Sequence, residues 1–199
     1  MTSPNDPSKQ EDQTNAASRR ASGEFVRGVS GFRHSIGDPD FPAEQARYHL
    51  FVALNCPWCH RVTLARNILG LQESISLDVA FPTRTDDDDP VGPNFWEFNP
   101  MRFSKLTGKP LSECTFETAT SKSFRLVREI YQVEGSSEQS VPVLYDTKTN
   151  RIVNNESAEI IRMLDKNAEA LGGQYPDVAA AGLYPDQSTS RSNIDALMI

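Results

Sequence analysis

An apolar run, Tyr48-His49-Leu50-Phe51-Val52-Ala53-Leu54, leads through Asn55-Cys56-Pro57-Trp58-Cys59-His60-Arg61 into a helical pattern, Val62-Thr63-Leu64-Ala65-Arg66-Asn67-Ile68-Leu69-Gly70. This junction constrains the chain more than any other segment. Proline suits the first helical position, where no N–H is required, so Pro57 marks the start of the helix and leaves Cys56 at its mouth. A cysteine there has its thiolate stabilised by unpaired backbone N–H groups and by the positive end of the helix dipole, which lowers its pKa. Cys56 is therefore the candidate nucleophile, and Arg61 adds a cation one turn on.

The same letters fit other chemistries. Haem attachment at Cys-x-x-Cys-His requires export, and residues 1 to 30 contain no basic segment followed by an apolar one. Zinc wants four ligands, yet beyond Cys56 and Cys59 the chain offers only Cys114, His34, His49 and His60, with no second close pair, so no metal is expected. A buried cysteine pair without chemistry is the bland alternative, and the strand-to-helix position argues against it. Three cysteines do not make a secreted disulfide framework, which points to a reducing compartment, the cytoplasm. A formal net charge of −7 with scattered basic residues makes nucleic acid a poor partner. No apolar stretch is long enough for a membrane span.

Residues 1–22, rich in Ser, Asn, Gln, Asp and Pro, read as a disordered tail. A thioredoxin-like domain is expected over 23–165. In it, a second strand, Ile75–Ala80, follows the first helix, and a long insertion covers about 82–120 with little periodicity. The insertion carries the run Asp86 to Asp89, read as solvated surface, and the aromatic cluster Phe95-Trp96-Glu97-Phe98. A helix over Ser123–Val133 follows, with Phe124, Val127, Ile130 and Tyr131 at helical spacing. The hairpin Val141–Tyr145 and Arg151–Asn154 comes next, and then a helix from about Asn155 with Ile160, Ile161 and Leu164 on one face. The order βαβαββα is that of a thioredoxin-like α/β fold. Residues 166–182 read as a linker, and 183–199 as the beginning of something else, with a helix from about Asp186.

Pro142 lies inside an apolar strand, where proline costs a ladder hydrogen bond. A cis peptide bond after Val141 explains it, since that geometry presents the Val141 backbone N–H and C=O to a bound peptide; an ordinary edge-strand proline is the alternative. Glu156-Ser157 falls on the first turn of the closing helix, where such side chains serve as caps. They also suit an anion and an ammonium held at a helix start, and both roles can hold together. Trp96 either packs its loop or covers the site with its ring and indole N–H.

These residues have a counterpart. Gly23-Glu24-Phe25-Val26-Arg27, Phe32-Arg33, Phe41-Pro42-Ala43-Glu44 with Arg47-Tyr48-His49-Leu50, Cys56-Pro57-Trp58, His60-Arg61, Trp96-Glu97-Phe98, Val141-Pro142-Val143-Leu144 and Ile152-Val153-Asn154-Asn155-Glu156-Ser157-Ala158-Glu159-Ile160-Ile161-Arg162-Met163 are the matching segments. Over roughly residues 24–199 the chain resembles the glutathionyl-hydroquinone reductases, the Xi class of glutathione transferases. The resemblance implies glutathione as co-substrate and glutathionylated aromatic compounds as substrates. It also implies attack of the Cys56 thiolate on the glutathione sulfur, and a second glutathione that resolves the mixed disulfide. Trp96, Val141, Glu156 and Ser157 match family positions that hold glutathione, with Pro142 beside Val141. Homodimers occur among longer relatives.

The chain departs from that pattern in two respects. Cys59 stands where the family usually has a small residue; it is either a resolving thiol, as in glutaredoxin-like dithiol oxidoreductases, or an alanine-sized filler. Family members also continue into an all-helical domain that builds the aromatic pocket. In this sequence that domain has barely begun, at Leu183-Tyr184-Pro185 and Ile194-Asp195-Ala196-Leu197. An exposed apolar face is then expected where those helices pack. If that domain is indispensable, a non-catalytic glutathione-binding module is the remaining reading.

Overall fold

The strand β1 (Tyr48–Ala53) is buried along its whole length, and its neighbours explain why. In a computed structural model of the chain, which describes residues 30–109 and 124–184, β1 pairs in parallel with β2 (Ile75–Ala80) and antiparallel with β3 (Val143–Asp146). Strand β4 (Arg151–Asn154) closes a four-stranded sheet of order β2-β1-β3-β4. A strand with partners on both edges and cover on both faces reads as a continuous apolar run. The chain divides at Gly31, and everything below concerns the unit that begins at Phe32.

Helix α1 (Pro57–Ile68) links the parallel pair, as a parallel connection requires, and packs on the closing helix, α4 (Ser157–Lys166). Cys59, Val62 and Ala65 form the buried stripe of α1, and Ile160, Met163 and Leu164 that of α4. Gly70, at φ 67°, ends α1, and a Cβ there would meet the Gln174 nitrogen at 2.7 Å, so glycine answers both the left-handed turn and the close approach. Leu64 and Ile68, one turn apart, remain exposed on α1.

On the Phe51 side of the sheet, the Phe51 ring meets Phe98, Phe124 and Tyr145 at centroid distances of 5.5, 6.0 and 5.7 Å. The helix expected over 123–133 begins later, as α3 (Val127–Val133), because Glu129 Oε2 accepts the N–H groups of Arg125 and Leu126 and fixes the first turn there.

The described part of the insertion is more regular than its aperiodic sequence suggests. Thr85 anchors its first loop: the hydroxyl donates to Gly92 O at 2.7 Å and accepts from the Phe95 N–H at 2.9 Å. A helix, α2 (Pro100–Thr107), follows, with Asn99 Oδ1 accepting from the Arg102 N–H at 3.1 Å and Gly108 in the left-handed region at its end. Asn99→Ala removes that cap and is expected to lower stability by about 1 kcal/mol in chemical denaturation. The segment 166–182 likewise contains a short helix, α5 (Pro176–Ala181). Beyond it, Asp165 accepts the N–H groups of Leu183 and Tyr184 at 2.7 and 2.9 Å. The tail 1–22, Cys114 and the helix expected from Asp186 lie outside the described residues.

Candidate active site

Cys56 occupies the N-cap position of α1 with extended backbone, and Pro57 takes the first helical turn. The residue is buried, 8% exposed, and its sulfur lies 3.7 Å from the carbonyl oxygen of Val141. The Val141–Pro142 peptide bond is cis, as expected, but Pro142 lies just before β3, which begins at Val143, and not inside the strand, so it costs no ladder hydrogen bond. The sheet causes this meeting: β1 and β3 are antiparallel neighbours, so the residues leaving β1 and those entering β3 reach the same end.

Cys59 lies one turn along α1 on its buried stripe, fully enclosed, and its sulfur accepts the Ala53 N–H at 3.4 Å. The two thiols are not joined in a disulfide. His60 is exposed. Arg61 reaches across to α4, donating to the Ser157 hydroxyl through Nη2 at 2.6 Å and Nε at 3.1 Å, with Glu156 Oε1 at 3.9 Å.

Glu156 caps α4, accepting from the Ala158 N–H at 3.4 Å, while its own N–H donates to Asn154 Oδ1 at 2.7 Å. Capping and a polar cluster facing Arg61 thus coexist at one helix start. Asn155, fully buried, donates to Glu138 Oε2 at 2.7 Å and holds the segment that leads into Val141.

Trp96 is half-buried against the core, and the Arg84 guanidinium lies 4.4 Å from its ring centre. The residue after it fixes its position. Glu97 is fully buried between Arg125, at 2.8 Å, and Arg102, at 3.2 Å. The Trp96 carbonyl accepts the Val127 N–H at 3.0 Å. Arg102 and Arg125 extend this network to Asp86 and Asp89 at 3.9 and 3.5 Å, so these two ends of the acidic run are ion-paired. Among the described residues no group of His, Cys, Asp and Glu is placed to hold a metal ion, and no helix is long and apolar enough to cross a membrane.

Three features escaped the sequence reading. Arg84 sits in an aperiodic loop with nothing to mark it, yet it is held there, its Nη1 donating to the Asn94 carbonyl at 2.9 Å beside the Trp96 ring. Burial lowers its pKa, and the Cys56 charge offsets part of that. Asn55 Nδ2 donates to the Pro82 carbonyl, tying that loop to the Cys56 turn. The bridge from Arg61 to Ser157 joins residues far apart in sequence, and only the packing of α1 on α4 brings them together.

A thioredoxin-like sheet with a cysteine at the mouth of its first helix, a cis-proline opposite and a capped closing helix places the chain among the thioredoxin-like α/β folds. The sequence matches the glutathione S-transferase N-terminal domain family over residues 55–167, and the chain belongs to that family. Its relatives include glutathionyl-hydroquinone reductases and Xi-class glutathione transferases. It is 38% identical over 181 residues to the glutathione S-transferase omega-like 2 of Schizosaccharomyces pombe, covering 88% of this chain and 50% of that protein. It is 35% identical over 170 residues to the glutathionyl-hydroquinone reductase YqjG of Escherichia coli, covering 78% of this chain and 45% of that one. The glutathione-bound structure of YqjG superposes with a TM-score of 0.64 at 32% identity, covering 84% of this chain and 50% of that one. The glutathione-S-transferase Xi of Phanerochaete chrysosporium gives 0.65 at 30% identity, covering 87% and 53%. The chain spans about half the length of the curated relatives it matches.

Proposed function

We propose that the chain reduces glutathionyl-hydroquinones to hydroquinones at the expense of glutathione, with Cys56 as the nucleophile. The observation that carries this reading is the 3.7 Å approach of the Cys56 sulfur to the Val141 carbonyl beside the cis peptide bond. A peptide thiol laid along Val141 satisfies that carbonyl with its own N–H and brings its sulfur to Cys56. The α4 amides, the Ser157 hydroxyl and Arg61 offer donors for the γ-glutamyl carboxylate, and Glu156 accepts its ammonium. Trp96 covers the opposite side.

In the first step the Cys56 thiolate attacks the glutathione sulfur. The Cys56–glutathione disulfide forms as the sulfur–aryl bond breaks, and the ring carbon keeps the electron pair and takes a proton. In the second step the thiolate of another glutathione attacks the mixed disulfide, releasing glutathione disulfide and restoring the Cys56 thiolate. The test is release of quinol from a glutathionyl-hydroquinone by the purified chain. Glutathione-dependent release supports the proposal; a folded chain that releases none is at most a glutathione-binding module.

Cys59 acts in this reading as a core residue, which its full burial and its bond to the Ala53 N–H support. Cys59→Ala is therefore expected to leave quinol release at the wild-type rate. Loss of turnover in that variant, with the fold retained, favours the dithiol route.

A further inference from the structure

Residues 134–142, between α3 and β3, carry no helix or strand, yet the Val141 carbonyl at their end stands 3.7 Å from the Cys56 sulfur. Side chains hold it there. Tyr131 on α3, fully buried, donates from its hydroxyl to the Ser140 carbonyl at 2.9 Å, one residue before Val141. Asn155, also fully buried, supplies the rest. Its side-chain carbonyl accepts the Phe32 N–H at 3.4 Å, which turns the amide nitrogen the other way. That nitrogen donates to Glu138 Oε2 at 2.7 Å and lies 3.2 Å from the Tyr131 hydroxyl and 3.3 Å from the Ser140 hydroxyl. Asn155 also precedes Glu156, which caps α4, and its backbone N–H donates to the Phe32 carbonyl at 3.2 Å. One residue thus ties the approach to Val141 to the start of α4. A buried polar network with its partners in place fixes direction as well as distance, which apolar packing at the same point would not do.

We propose that Asn155 is a positioning residue for glutathione: with Tyr131 it sets the separation between the Val141 carbonyl and the start of α4, so that one γ-glutamyl peptide reaches both at once. The assignment rests on the reading of this site as a glutathione site, and its physical content is separable from turnover. In that reading the cysteinyl backbone pairs with Val141 while the γ-glutamyl end meets the first turn of α4. A ligand that bridges two anchors binds more weakly when either is mobile, because ordering the anchor then opposes binding. Asn155 touches no reacting atom; it acts through Ser140 and Glu138 on one side and through its peptide bond to Glu156 on the other.

The experiment is titration of the full chain with reduced glutathione, followed by NMR after labelling the valine carbonyls with carbon-13 and proline with nitrogen-15. Val141–Pro142 is the single Val-Pro bond in the sequence, so one carbonyl resonance reports it. Wild type is compared with Asn155→Ala and with Tyr131→Phe, which removes a hydroxyl and keeps the core volume. In the free chain both variants are expected to displace or broaden the resonance. The glutathione concentration at half-saturation is expected to rise about tenfold in Asn155→Ala and about fivefold in Tyr131→Phe, for the loss of one or two hydrogen bonds. Half-saturation at the wild-type concentration in folded Asn155→Ala overturns the proposal, because a residue that only stabilised the fold would lower the melting temperature and leave the affinity as it was. If the alanine variant does not fold, Tyr131→Phe decides by the same criterion. A free resonance that stays at its wild-type position in the folded variants also overturns it. A wild-type resonance that ignores glutathione, while the variants displace the free resonance, keeps the hold on Val141 and removes the glutathione reading.

Discussion

Cys56→Ser is expected to reduce glutathione-dependent quinol release by on the order of a thousandfold or more, because removing a nucleophile removes every step that passes through its covalent intermediate. Serine is close to cysteine in size, and Cys56 sits at the helix mouth with extended backbone, so the fold and the glutathione contacts are expected to survive. What is lost is the anion. A hydroxyl does not ionise in the range where a thiol at a helix start does. The check is a pair of measurements on the same preparation: quinol release, and the rise in melting temperature with added glutathione, which reports binding to the folded state alone. Lost release with a retained thermal shift assigns Cys56 to chemistry. Release that persists in the serine variant sinks the nucleophile assignment.

Asp146→Ala is expected to cost about 3–5 kcal/mol of folding stability, a large share of what a domain of this size has. Asp146 ends β3 with its side chain fully enclosed, and Arg47, 8% exposed, precedes β1. The guanidinium donates to both carboxylate oxygens, Nε at 3.0 Å and Nη2 at 2.6 Å. The same carboxylate accepts the Lys148 N–H at 2.9 Å and the Thr149 hydroxyl at 2.7 Å, so it also organises the turn to β4. Alanine leaves a buried guanidinium with only the half-exposed Glu44, at 3.2 Å, as counter-charge and orphans a turn amide.

The pH dependence has a definite sign. Burial pushes the Asp146 carboxyl up, but Arg47, Thr149 and the Lys148 N–H together hold it below the ordinary carboxylate range. A carboxyl depressed on folding contributes stability that is fully present above its unfolded pKa, about 4, and is lost as pH falls through the folded value. The wild type and the variant should therefore differ most in urea midpoint at neutral pH and converge in acid. A difference that stays constant down to about pH 2 would falsify the ion-pair explanation.

The order of elements was legible because each signal is local. β2 occupies the residues expected for it, and the hairpin strands begin and end within two residues of expectation. The helix α2 was missed although Asn99-Pro100 and Gly108 bracket it, because only Phe103 of its side chains is buried and eight residues with one core contact leave no stripe to read. Cys59 is the opposite case. Its spacing to Val62 and Ala65 is the core stripe of α1, but a Cys-x-x-Cys pair suggests redox chemistry from its letters whether or not the second sulfur faces inward.

By itself, the sequence determined the strand-to-helix junction at Cys56, the need for special geometry at Pro142 and the helix start at Glu156-Ser157, since each depends on backbone preferences within a few residues. Only the tertiary structure decided which groups meet at the sulfur. Val141 arrives because β1 and β3 are antiparallel neighbours, Arg61 finds Ser157 because α1 packs on α4, and Arg84 finds the Trp96 ring because buried Glu97 and Thr85 pin a loop that has no periodicity of its own. Coulomb and hydrogen-bond energies depend on distance in space, and sequence patterns report distance along a chain only inside one regular element.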